Sequence, residues 1–157
     1  MAVLVAIIGM LVYGLQTTKR ASDQEKIKQV NELGPIVHFL PHTSLDLRYF
    51  VGVSITAGIV QEIVYRGFVL WYLGSFMPLW AAVLLSSIGF GFAHIYLGVS
   101  GAVRAGLLGL CFAIFYVLTG SVWLPILAHI ALDVLQGLIA FELLRKDDDV
   151  AAIPVRA

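Results

Sequence analysis

The chain has 157 residues, of which 60% are hydrophobic and 13% charged, and its mean hydropathy is +0.93. That is the composition of a polytopic membrane protein. Ten basic and ten acidic residues leave no basic surplus for nucleic acid, and a single cysteine, Cys111, excludes intramolecular disulfides and thiolate metal clusters.

At this length one membrane domain is expected over 1–157, an all-α transmembrane helix bundle of about five spans. Residues 1–17 form a first apolar segment, short for a span. A cleaved signal peptide is disfavoured there, because Lys19 and Arg20 follow the apolar run and no basic residue precedes it. Residues 18–45 form a polar loop of mixed charge, whose first half suits a short surface helix stopped by Gly34 and Pro35. Ser44 is the expected N-cap of the next helix. His38 and His42 read as loop histidines.

Residues 46–145 form a core of four helices, and 146–157 a mobile tail. The first core helix spans about 46–74, with Gly67 a place to bend and Trp71, Tyr72 and Phe76 an aromatic belt. The next runs over about 79–96, followed by LGVSG as a connection. A helix over about 102–118 carries Gly106 and Gly109, which permit close packing. The last runs from near Pro125 to about 144.

Charge agrees with this reading. If the N-terminus lies outside, Lys19, Arg20, Lys26, Lys28, Arg48, Arg104, Arg145, Lys146 and Arg156 all fall on the inner loops or their helix edges. Only Arg66 lies elsewhere, within a helix, which is the asymmetry of the positive-inside rule.

Arg66 belongs to the informative chemistry. Glu62 and Arg66 stand four apart in IVQEIVYRG, so on a helix they share a face and form an ion pair. Gln61 precedes Glu62 and points about 100° away. Phe90 and His94 in FGFAH, and His129 and Asp133 in HIALD, repeat the four-residue spacing on later apolar helices. A single histidine or carboxylate in a bundle is ordinarily packing. Five such groups on three spans are too costly to be packing alone.

The three stretches QEIVYR, FGFAH and HIALD resemble the motifs of the CAAX prenyl protease and bacteriocin-processing family of intramembrane proteases, also called Abi. Its motifs are Glu-Glu-x-x-x-Arg, Phe-x-x-x-His and His-x-x-x-Asn or Asp, and here they occur in that order over roughly residues 46–145. The resemblance implies an intramembrane endopeptidase that hydrolyses a peptide bond near the membrane. It implies a prenylated or leader-type peptide as substrate and the lipid bilayer as surroundings. The expected location is the cytoplasmic membrane of a prokaryote, as a multi-pass protein.

Residue by residue, Gln61 and His94 stand where the family activates a water, Glu62 and Arg66 complete the first motif, and His129 with Asp133 would stabilise the oxyanion or hold the site. The implied catalytic set is therefore Gln61, Glu62, His94, His129 and Asp133, supported by Arg66 and Phe90. If a metal is used, His94, His129 and Glu62 would hold zinc with an open position. One departure matters. Gln61 replaces the family's first glutamate, and an amide cannot take a proton from water. An inactivated site, an inactive relative, or a rearranged site with Glu62, His94 or His129 as base are all consistent with it. Two other functions use the same groups: a non-catalytic membrane scaffold or bacteriocin-immunity protein on this fold, and a small transporter or proton-relay subunit.

Overall fold

A computed structural model describes residues 2–145, and every regular element among them is helical. In chain order these are α1 (Ala2–Arg20), α2 (Asp23–Leu33), a 3₁₀ segment (Gly34–Phe39) and α3 (Ser44–Glu62). There follow a π-helical segment (Ile63–Val69), α4 (Leu70–Gly74), α5 (Leu79–Ala93), a 3₁₀ turn (Ile95–Leu97), α6 (Gly98–Thr119) and α7 (Trp123–Leu144). Three stretches are long and apolar enough to cross a membrane: Ser44–Gly74, Ile95–Thr119 and Trp123–Leu144. Leu79–Ala93 is apolar but, at 15 residues, shorter than the roughly 20 of a full crossing. Of the about five spans expected, three are present at full length among the described residues, with α5 a shorter apolar helix, and the protein is an all-α integral membrane bundle. The expected tail over 146–157 lies outside the described residues.

The elements start and stop for local reasons. Glu25 reaches back to cap the start of α2, the Ser22 N–H and hydroxyl both donating to Glu25 Oε2 at 2.9 and 2.8 Å. Those bonds hold the Glu25 carboxyl below its usual pKa. The cap of α3 is Thr43 rather than the expected Ser44. The Thr43 N–H donates to Asp46 Oδ2 at 2.9 Å and the Asp46 N–H to Thr43 Oγ1 at 3.1 Å. Ser44 is instead the first helical residue. The LGVSG stretch is not a loop. The 3₁₀ turn ends at Gly98, whose φ of 78° a glycine adopts without steric cost, and α6 starts there. Pro125 sits inside the first turn of α7, where its missing N–H costs nothing.

The chain divides into two compact units, one of residues up to Ile55 with those from Ala131 onward, the other Thr56–Ile130. In the first unit, Phe50 on α3 packs into the gap left by Gly137 on α7, where a Cβ would lie 2.5 Å from the ring. In the second, α5 and α6 form the tightest pair. A Cβ on Gly91 would stand 2.8 Å from the Ala102 carbonyl oxygen, so the two backbones meet there. This is the small-residue crossing that lets membrane helices approach closely. Leu70, Ala82, Val83 and Ala113 form the adjoining apolar core.

Candidate active site

The polar groups of the second unit meet on one carboxylate. Glu62, the last residue of α3, is fully buried, as is Arg66 one turn on within the π segment. Arg66 Nη1 donates to Glu62 Oε1 at 2.9 Å, which is the ion pair expected from their spacing. The same oxygen lies 2.7 Å from Nδ1 of His129 on α7. Against a carboxylate oxygen that nitrogen carries the proton. Glu62 Oε1 thus has two donors, while Oε2 is buried with no hydrogen-bond partner among the described residues.

Arg66 is held through both Nη atoms, while its buried Nε has no hydrogen-bond partner among the described residues. Its Nη2 donates to the carbonyl of Gly109 on α6 at 2.7 Å. Its guanidinium lies over the rings of Phe90 and Phe112, 4.7 and 5.5 Å from their centroids. A cation desolvated between two aromatic faces and bonded to a carboxylate and a carbonyl is compensated by each of them.

Phe90 is the hub of the aromatic layer. Its ring lies 5.8 Å from that of His129 and 4.6 Å from that of His94, so a single ring links the two histidines. His94 is not inside α5 as expected but is its C-terminal cap. Its Nδ1 hydrogen-bonds the Phe90 carbonyl at 2.8 Å, satisfying an oxygen that the helix end leaves open. Phe112 stacks on His129 with centroids 5.5 Å apart.

The expected residues therefore divide. Glu62, Arg66 and His129 touch, Phe90 packs against Arg66 and both histidines, and His94 joins through Phe90. Gln61 is half-buried, and its Oε1 has no hydrogen-bond partner among the described residues. Asp133 is half-buried one turn beyond His129 on α7, in the other compact unit. Among the described residues no three His, Cys, Asp or Glu side chains are grouped to hold a metal. Glu62 Oε1 and His129 Nδ1 face each other, and His94 Nδ1 faces a backbone carbonyl. Each histidine is thus engaged through Nδ1 and keeps Nε2, the nitrogen that binds a metal when Nδ1–H is held by an oxygen.

Four partners escaped the motif reading: Gly109, Phe112, Tyr65 and Ser86. On α6, Gly109 and Phe112 are three apart and so on one face, and the sequence marked Gly109 only as a place for close packing. Gly109 leaves room for Phe90, since a Cβ there would stand 3.0 Å from Phe90 Cδ1. Tyr65 sits between motif positions, its ring edge-on to Phe90 at 5.0 Å and its hydroxyl 3.4 Å from the Gly89 carbonyl.

The sequence model of one family, type II CAAX prenyl endopeptidase Rce1-like, matches residues 43–135. No curated protein and no solved structure matches the chain. The matched stretch runs from the cap of α3 to two residues past Asp133 and takes in all three motifs, and the chain belongs to the type II CAAX prenyl endopeptidase Rce1-like family.

Proposed function

We propose that this protein is an intramembrane endopeptidase of the CAAX type, acting in the cytoplasmic membrane of a prokaryote on a prenylated or leader-type peptide, with Glu62 in place of Gln61 as the proton-accepting group. One observation carries the reading. Glu62 Oε1 is fixed by Arg66 and His129, while Oε2 is buried and unpartnered among the described residues. A buried carboxylate oxygen calls for a donor, and a water is the donor that a hydrolase needs there. Glu62 Oε2 takes a proton from that water as its oxygen attacks the peptide carbonyl, and gives it to the amide nitrogen as the C–N bond breaks, releasing an amine and a carboxylic acid. Arg66 keeps Glu62 oriented and His129 holds the other oxygen, so the base turns only as a unit with its partners. His94 and Asp133 keep the roles that the family resemblance implies, in water positioning and oxyanion support. If zinc is used, His94, His129 and Glu62 are the residues that would hold it, and it would supply an activated water.

Glu62 is fully enclosed, so the substrate must open the packing around it. That enclosure, with Gln61 at the family's first glutamate, also favours a second reading. In it the ion pair is structural and the protein is a non-catalytic scaffold or immunity protein on the same fold. The test is cleavage of a prenylated C-terminal peptide and of a leader peptide by the parent in lipid vesicles, with and without a zinc chelator. Cleavage, raised further by Gln61→Glu, supports the protease, and its response to the chelator decides whether zinc is used. Absence of cleavage by both forms supports the scaffold.

A further inference from the structure

The helix that carries the first motif is not α-helical where the motif sits. Ile63–Val69 is a π segment, and the Leu70 N–H donates to the Tyr65 carbonyl, five residues back. A π turn admits one extra residue, and such turns concentrate at functional sites. One extra residue turns everything upstream by about 100° relative to everything downstream. Leu70 is buried in the apolar core, so the downstream part is anchored. With Leu70 held, a plain α-helix would bring Ile63 to the place Glu62 now occupies, and Glu62 to the place of Gln61. The π turn is therefore what presents a carboxylate to His129 and Arg66.

Something must hold the wider turn, and α5 does so through residue 65. Ser86 Oγ donates to the Tyr65 carbonyl at 3.2 Å, adding a second donor to the oxygen that already accepts from Leu70. One turn along α5, the Gly89 carbonyl lies 3.4 Å from the Tyr65 hydroxyl. Its neighbour Ser87 does what a serine in an apolar helix ordinarily does, and bonds its own helix, at the Val83 carbonyl, 2.7 Å away. Ser86 crosses to another helix instead, and it is only 2% exposed. In surroundings without water, that bond has no solvent competitor.

We propose that Ser86 is a positioning residue: by holding the Tyr65 carbonyl it keeps the π turn and so fixes the register at which Glu62, rather than Ile63, faces His129. The effect on turnover rests on the protease reading, but the register itself does not. Two measurements keep them apart, cleavage kinetics and the ¹⁵N signal of His129 Nδ1 in labelled protein, assigned by its loss in His129→Ala. For Ser86→Ala the expected result is a fall in kcat on the order of tenfold to a hundredfold at unchanged KM, with the His129 signal displaced. Ser87→Ala, which removes an equally buried hydroxyl from the same helix, should change neither. Deleting Gly67 removes the extra residue itself, so a plain α-helix then keeps Glu62 in register, and adding that deletion to Ser86→Ala should bring the signal back. A displaced signal with no cleavage by any form would end the protease reading and leave the register intact. A His129 signal in Ser86→Ala identical to the parent's would overturn the proposal.

Discussion

Glu62 on α3 and His129 on α7, 67 residues apart in sequence, share a hydrogen bond of 2.7 Å through Oε1 and Nδ1. That bond joins the first and third motifs, and Arg66 reaches the same oxygen from one turn away. The three groups form one hydrogen-bonded cluster with almost no solvent exposure, centred on Glu62 Oε1.

The ion pair sets the first prediction. Arg66→Ala leaves Glu62 buried beside His129 alone, and should cost on the order of 3–5 kcal/mol. Replacing both residues by leucine removes the unpaired charge and should cost less. Thermal unfolding in detergent would compare them. An Arg66→Ala protein as stable as the parent would mean that the pair contributes nothing.

The α5–α6 crossing sets the second. A Cβ on Gly91 meets the Ala102 carbonyl oxygen at 2.8 Å, whereas one on Gly106 finds its nearest neighbour, the Ser87 carbonyl oxygen, at an ordinary 3.5 Å. Gly91→Ala should therefore destabilise by about 1–3 kcal/mol through overpacking. Gly106→Ala should be close to neutral. Equal melting temperatures for the two variants would show that the helices do not meet at Gly91.

Topology is the third. The distribution of Lys and Arg expects α2 and the C-terminal end on the same side of the membrane. Cysteines introduced as Gln24→Cys and Ala151→Cys, in a Cys111→Ala background, should react with a membrane-impermeant reagent from the same side. Gln24 is exposed and takes no part in the cap of α2, so the label reports position and not unfolding. Labelling from opposite sides would remove one span from the count.

Much of this was legible before the fold. Apolar run lengths gave an all-helical membrane bundle, with three of the about five expected spans at full length among the described residues, and the four-residue spacing of Glu62 and Arg66 gave their ion pair. The resemblance named His94 and His129 as site residues and Phe90 as their support, and the Phe90 ring packs against each histidine. What was hidden has physical causes. Counting at 3.6 residues per turn cannot reveal a π turn, because the extra residue is set by contacts from Ser86 and Gly89 on another helix. The Gly109 carbonyl that binds Arg66 is backbone, and no side chain announces it. Thr43 and Ser44 are equally good caps by type, and only the reach of Asp46 back to Thr43 separates them.

The central claim is that Glu62 accepts the proton of the attacking water. The most direct test is the double variant Glu62→Gln/Arg66→Gln, which removes base and counter-charge together and leaves no unpaired charge in the bundle. Initial rates of peptide cleavage in vesicles would be measured beside thermal stability. The account predicts a folded protein whose cleavage rate falls on the order of a hundredfold or more, as loss of a general base entails. A double variant that cleaves at the parent's rate would contradict it.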